Sequence, residues 1–231
     1  MLSQQGFVKN LSAEKNYLYR LILKSLNSYY FEFSYKMKVQ NLISSAEILA
    51  YKGLENQGLK LLEKAKKLAK EAELFSHLIT IDQTEFEITS KQRNYIKASE
   101  KLTEIKESIN YQNELVDIQL KTTALYAKRQ QEGGIRNENE LESINQFSNQ
   151  HLKSGLNSKK TLLFNNSLNI THAHAKKDYK AELTELNEII KLYEENLFLR
   201  EYSLKGYISS LYNLANTYRN LSDFKNALKT I

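Results

Sequence analysis

The chain has 231 residues, 41% of them hydrophobic, and a formal net charge of +6, so it can bury a substantial core. It contains no cysteine, which excludes disulfides, thiolate metal sites and cysteine nucleophiles. The N-terminus lacks a signal-peptide apolar region and no run approaches about 18 apolar residues, so we expect a cytoplasmic protein without a membrane partner.

Helix breakers are scarce, because the sequence has no proline and seven glycines. Turns are therefore expected where Gly, Asn, Asp and Ser occur. Apolar residues between these points follow helical spacing, and no stretch alternates with a period of two. The sequence predicts an all-α fold of roughly ten to twelve helices. The expected turn residues are Gly53, Gly58, Asn94, Gly133, Gly134, Gly155, Asn157, Asp178, Ser222 and Asp223.

Residues 1–36 are predicted to form an N-terminal helical cap. Its apolar stripe consists of Leu18, Leu21, Ile22 and Leu26, which share one helical face. Five aromatic residues follow between Tyr29 and Tyr35, and they cannot all face one way on a helix. This aromatic segment marks either the bend between the cap and the first repeat or a contact with a partner.

Residues 37–231 are predicted to form successive helical hairpins. Small residues recur where two helices of a hairpin approach closely, at Ala46 with Gly58 and again at Ala98 and Ala227. In the hairpin that contains residue 182, the corresponding position is Glu182, where a small residue such as alanine is expected. The region 114–152 is predicted to contain two helices joined by the polar connector QQEGGIRNEN.

The final segment, from Tyr207 to Ile231, has the most regular pattern. Its large, small and aromatic positions are Leu211, Leu214, Ala215, Tyr218, Phe224 and Ala227. This pattern resembles the tetratricopeptide (TPR) repeat, a pair of antiparallel helices in 34 residues. The resemblance implies an α-solenoid of antiparallel helix pairs that forms a right-handed superhelix.

The last repeat is incomplete, since the sequence ends at Ile231 within its second helix. We therefore expect this chain to be the N-terminal piece of a longer protein. Phe224, Leu228 and Ile231 begin an apolar stripe without a successor. The exposed face of this last helix could be covered by a second copy, which would give a homodimer.

Catalytic and metal-binding patterns are not found in the sequence. His172 and His174 form an H-x-H pair, but on a helix their side chains point about 200° apart and cannot chelate one metal. There is no glycine-rich phosphate loop and no nucleophile or zinc-protease motif. Six of the 33 basic residues are arginine, and phosphate recognition favours arginine. We expect no enzyme activity, no cofactor and no nucleic-acid partner.

The TPR resemblance also implies where a partner would bind, because the first helix of each repeat lines a concave groove. The last copy contributes Ser209, Tyr212, Asn216 and Arg219; the preceding copy contributes Phe164, Ser167, Thr171 and His174; the first copy contributes Gln40, Ile43, Glu47 and Ala50. The implied function is a non-catalytic scaffold that binds a protein or peptide. One alternative is the sensor or dimerisation half of a bacterial signalling or transcription regulator whose output domain lies beyond Ile231. Nucleic-acid binding and an unrecognised enzyme are further alternatives.

Overall fold

The computed structural model describes residues 11–132 and 158–230, which form ten α-helices and contain no strand. The prediction of an all-α chain is thereby confirmed for these residues. The helices are α1 (Leu11–Phe33), α2 (Tyr35–Tyr51), α3 (Glu55–Glu71), α4 (Phe75–Lys91), α5 (Tyr95–Glu132), α6 (Lys159–Ala175), α7 (Tyr179–Glu195), α8 (Leu197–Tyr202), α9 (Leu204–Asn220) and α10 (Phe224–Thr230). The turns expected at Gly133, Gly134, Gly155 and Asn157, the start of the cap and Ile231 lie outside the described residues.

The helices recur at regular intervals along the chain. Helices α2 to α5 begin every 20 residues, at positions 35, 55, 75 and 95, and the pairs α6–α7 and α9–α10 keep the same interval. Six helices, α2, α3, α4, α6, α7 and α9, are each 17 residues long. A hairpin therefore occupies 40 residues, longer than the 34 of the TPR consensus. Sequential helices pack as antiparallel pairs.

A shared three-residue turn produces this regularity. Its middle residue has a positive φ in all five cases, at Gly53, Glu73, Arg93, Lys177 and Ser222. The following residue donates its N–H to a carbonyl five positions back, as Leu54 does to Leu49 at 2.9 Å. This is the Schellman arrangement that ends a helix.

Of the six expected turn residues within the described ranges, five lie in these turns. Asn94 and Asp178 each use a side-chain oxygen to accept the N–H three residues on, at 3.2 and 3.1 Å, which caps the next helix. Gly58 was wrong as a turn, since it lies inside α3. It serves instead as a close-packing position, because a Cβ there would lie 3.0 Å from the carbonyl oxygen of Ala46.

Two elements differ from the sequence prediction. Helix α5 runs unbroken from Tyr95 to Glu132, so the separate helix predicted from residue 114 is wrong. No glycine or proline interrupts these 38 residues. The short helix α8 was not predicted; it lengthens the interval between α7 and α9 and inserts the buried side chains of Phe198 and Leu199 into a core shared with Leu163 and Tyr193.

Helix α1 packs differently from the others. Among the described helices it packs mainly on α2, and every residue from 11 to 30 is exposed. The stripe expected to form the cap contact, Leu18 to Leu26, is therefore exposed as well. The chain bends within the aromatic segment at Ser34, whose Oγ accepts the N–H of Met37 at 3.4 Å.

Acidic side chains cap helices that are distant in the sequence. The Glu73 carboxylate, in the α3–α4 turn, accepts hydrogen bonds from Ser158 Oγ at 2.8 Å and from the N–H groups of Lys159 and Lys160 at 2.6 and 2.9 Å. Three donors at the start of α6 are thus satisfied by one carboxylate from another hairpin. This contact fixes the first turn of α6 against the α3–α4 turn.

A second carboxylate joins α8 to the start of α2. Glu201 accepts a hydrogen bond from Ser34 Oγ at 2.5 Å and one from the N–H of Tyr35 at 3.2 Å. Tyr35 in turn donates its hydroxyl to Glu71 at 2.9 Å. Helices from both described ranges are therefore held together by capping contacts as well as by apolar packing. Within these ranges, no helix has the length and apolar character needed to span a bilayer.

Candidate functional site

A groove lies between α6 and α9, which both pack on α7. It consists of two adjoining clefts of about 310 and 410 Å³ that share Ile170 and Asn213. We call it the α6–α9 groove. Its walls come from the first helices of two hairpins and its floor from α7, where Leu186 and Ile189 are buried.

The end of the groove near the C-terminus of α9 is polar. Tyr212, Asn216 and Arg219 line it from α9, and His174 lines it from α6. Tyr212 is 66% exposed, so its ring is available for contact and contributes little to the core. Amide, guanidinium, imidazole and phenol groups together can donate to and accept from a peptide main chain.

The other end is lined by hydroxyl groups over an apolar floor. Ser167 and Ser209 face this cleft from α6 and α9, with Tyr193 beneath them. Gly206 in the first turn of α9 allows the close approach of Tyr193, because a Cβ there would lie 2.5 Å from the tyrosine hydroxyl oxygen. No other residue fits this position without a shift of its neighbours.

Glu182, on α7, is the unexpected component of the polar end. It occupies the small-residue position that is Gly58, Ala98 and Ala227 in the other hairpins, and it is 4% exposed. Its Oε1 lies 3.0 Å from His174 Nδ1, whereas its Oε2 is buried and makes no hydrogen bond within the described residues. Burying a carboxylate oxygen in this way is costly. The departure from a small residue is therefore the strongest indication of function at this site.

Six of the eight groove residues expected in the last two copies line these clefts: Ser167, His174, Ser209, Tyr212, Asn216 and Arg219. The other two lie elsewhere. Phe164 packs against Leu115 and Ile118 of α5, and Thr171 is buried, with its hydroxyl bonded to the carbonyl of Ser167 at 2.9 Å. In the first copy, the expected groove residue Ile43 is buried in the core instead. Sequence reasoning did not assign Glu182 to the site, although its mismatch with the repeat was visible.

A cluster of five charged side chains connects α3, α4 and α5. Asp82, Glu85 and Glu104 place carboxylate oxygens within 4.8 Å of one another, a spacing that could hold a metal ion. Lys66 lies among them, 2.5 Å from Asp82 and in contact with Glu104, and Lys101 lies 2.9 Å from Glu85. The two ammonium groups thus supply the positive charge that a cation would bring.

Titration of this cluster follows from those contacts. Burial alone would lower the pKa of Lys66, but its hydrogen bonds to Asp82 and Glu104 outweigh burial and raise it. Burial alone would raise the pKa of Glu104, but the hydrogen bonds from Lys66 and Lys101 lower it to about 2. Burial raises the pKa of Asp82, although its hydrogen bond to Lys66 opposes the shift. Because each carboxylate has an ammonium partner within the protein, we interpret the cluster as a structural ion network.

Lys160, at the start of α6, is the other buried charged group of interest. Burial lowers its pKa to about 8, although Glu73 opposes the shift. A lysine with a lowered pKa is a candidate nucleophile. Its Nζ, however, donates to the carbonyls of Ala72 and Glu73 at 3.0 and 2.8 Å, and it lies 4.8 Å from the ring centre of Tyr202. These contacts are those of a cap on the C-terminus of α3.

Comparison of the chain with protein-family models, with curated proteins and with solved structures finds no match.

Proposed function

We propose that this chain is a non-catalytic scaffold that binds a peptide or an extended protein segment in the α6–α9 groove, and that its hairpins form a right-handed TPR-like superhelix. The observation that carries the proposal is the convergence of six expected groove residues on two adjoining clefts. Residues 45 positions apart, such as Ser167 with Tyr212, line opposite walls of one surface.

The dimensions of the groove suit a short extended peptide. Its α9 wall runs from Lys205 to Asn220, a rise of about 22 Å at ~1.5 Å per helical residue. An extended chain covers this distance with about seven residues at ~3.3 Å each. Asn216 and Asn213 would bond the peptide main chain, and Tyr212 would pack on a side chain.

Glu182 and His174 give the polar end its preference for a partner. The buried carboxylate favours a donor, so a ligand amide, ammonium or guanidinium group near His174 would be stabilised. His174 already partners Glu182 Oε1, and the bound partner would offset the cost of burying Oε2. Such local instability at a binding site is a common exchange of stability for function.

The test is a selection of heptapeptides from a random library on the chain, followed by measurement of their affinities. The double variant Tyr212→Ala with Asn216→Ala should bind the selected peptides at least roughly 30-fold more weakly, the equivalent of ~2 kcal/mol. The control is Tyr95→Ala with Asn187→Ala, which removes another exposed tyrosine and another exposed asparagine, both outside the groove. Equal affinity in the two double variants would exclude the groove.

Glu182→Ala separates a binding role from a structural one. It restores the small residue found in the other hairpins and removes a buried carboxylate, so the melting temperature should stay constant or rise. Peptide affinity should fall at the same time. A lowered melting temperature with unchanged affinity would make Glu182 a structural residue.

A further inference from the structure

Helix α1 exposes more apolar surface than a helix in water normally retains. Eleven large apolar side chains between Leu11 and Phe33 are at least 40% exposed. Six of them lie on one face of the helix and, at very roughly 100 Å² each, form a patch of about 600 Å², the upper end of the ~300–600 Å² found for the largest patch of a monomer. That area is comparable with the ~800 Å² that each partner buries in a stable interface.

The stripe along α1 has an internal symmetry. With about 100° per residue, Leu11, Leu18, Leu26, Tyr29 and Phe33 all lie within about 40° of Ile22 around the helix, whereas Leu21 lies about 100° away and is not part of this stripe. They are placed in pairs on either side of it: Leu18 and Leu26 four residues away, and Leu11 and Phe33 eleven residues away. Because the order is the same read in either direction, the stripe fits an antiparallel copy of itself.

The charged residues of α1 also favour an antiparallel pair over a parallel one. Lys15 is the one charged residue of the stripe, and an antiparallel copy would place it against Tyr29, a favourable cation–π contact. A parallel copy would place two Lys15 ammonium groups together. Arg20 and Lys24 lie on the opposite side of the helix, about 160° from Ile22. The helix carries three basic and two acidic side chains, too little positive charge for a helix that binds a lipid surface.

We propose that α1 forms an antiparallel helix pair with α1 of a second copy, centred on Ile22, so that the chain is a homodimer joined at its N-terminal helices. Ile22 contacts Ile22 of the second copy, Leu18 contacts Leu26, and Leu11 contacts Phe33. This contact is isologous, as a two-fold axis requires. It lies apart from the α6–α9 groove and does not depend on peptide binding.

Single-cysteine variants test the geometry directly, since the chain has no cysteine of its own. Under mild oxidation, Ile22→Cys should form a disulfide-linked dimer. Leu18→Cys and Leu26→Cys should each remain largely unlinked alone, because each is about 12 Å from its own equivalent at ~1.5 Å per residue, and a disulfide needs Cα atoms within ~7 Å. A mixture of these two variants should cross-link. Self-linking of Leu18→Cys would indicate a parallel pair and overturn the proposal.

Light scattering gives the second readout. The chain should have twice its 26.9 kDa mass, and Ile22→Arg, which places two guanidinium groups on the axis, should reduce it to one mass. Asn27→Arg adds the same charge to the back of α1 and should leave the dimer intact. The proposal would be refuted if the parent chain were monomeric, or if the dimer cross-linked through Ile109→Cys on α5. It would also be refuted if the chain sedimented with anionic vesicles in a way that depends on Ile22.

Discussion

Replacement of Glu73 should reveal how strongly α6 depends on the turn between α3 and α4. Glu73→Ala removes three hydrogen bonds, from Ser158 Oγ and from the N–H groups of Lys159 and Lys160, at 2.6 to 2.9 Å. A helix cap is worth about 1 kcal/mol and a hydrogen bond to a charged group about 1.5–3 kcal/mol, without strict additivity. We expect a loss of about 3 kcal/mol.

The matched control is Arg93→Ala. Arg93 occupies the same middle position of its turn, with φ of 57° against 50° for Glu73, so alanine has the same backbone effect at both sites. Unfolding in denaturant, followed by circular dichroism, measures the free energy of unfolding of each variant. Glu73→Ala should lose about 2–4 kcal/mol more than Arg93→Ala, which corresponds to roughly 5–15 °C in melting temperature for a chain of this size. Equal costs would show that the carboxylate contributes nothing to the position of α6.

Three further predictions concern packing and charge. Gly206→Ala should destabilise the chain by about 1–3 kcal/mol through contact with the Tyr193 hydroxyl, and adding Tyr193→Phe should recover part of the loss in thermal melts. Lys66→Met leaves carboxylates without their ammonium partner and should cost about 3–5 kcal/mol in denaturant, whereas exposed Lys67→Met on the same helix should cost little. The pKa of Glu104 is lowered from 4.5 to about 2, so its contribution to stability is complete above pH ~5 and is lost as pH falls towards 2. The melting temperature should therefore fall less steeply with pH in Glu104→Gln than in the parent chain over this range, and an equally steep fall in both would contradict the assignment.

The turns show which local signals the sequence carries. Asn94, Asp178 and Gly53 were predicted as turn residues from their residue type alone; in the structure Asn94 and Asp178 cap the next helix, and Gly53 has a positive φ. Glu73, Arg93 and Lys177 adopt the same conformation without such a signal. A residue with a Cβ pays about 1–2 kcal/mol to adopt the left-handed backbone conformation. In these three turns the Schellman hydrogen bonds and the packing of the flanking helices outweigh that cost. That balance is tertiary and cannot be obtained from local composition.

The groove shows the corresponding limit for function. Repeat spacing placed Tyr212, Asn216 and His174 on one surface because helical phase is preserved from hairpin to hairpin. The same spacing assigned Phe164 to the groove, but Phe164 packs against the cluster that contains Leu115 and Ile118, in the part of α5 that was expected to be a separate helix.

Comparison of equivalent positions explains why the open groove lies in the C-terminal half. The ninth residue of the first helix is Ile43 in α2, Ser167 in α6 and Tyr212 in α9. Ile43 is buried in a core with α4, since α2 and α4 are in contact, so the corresponding face is closed by packing. Ser167 and Tyr212 instead line clefts above α7. The same helical position is thus buried in α2 and lines a cleft in α6 and α9.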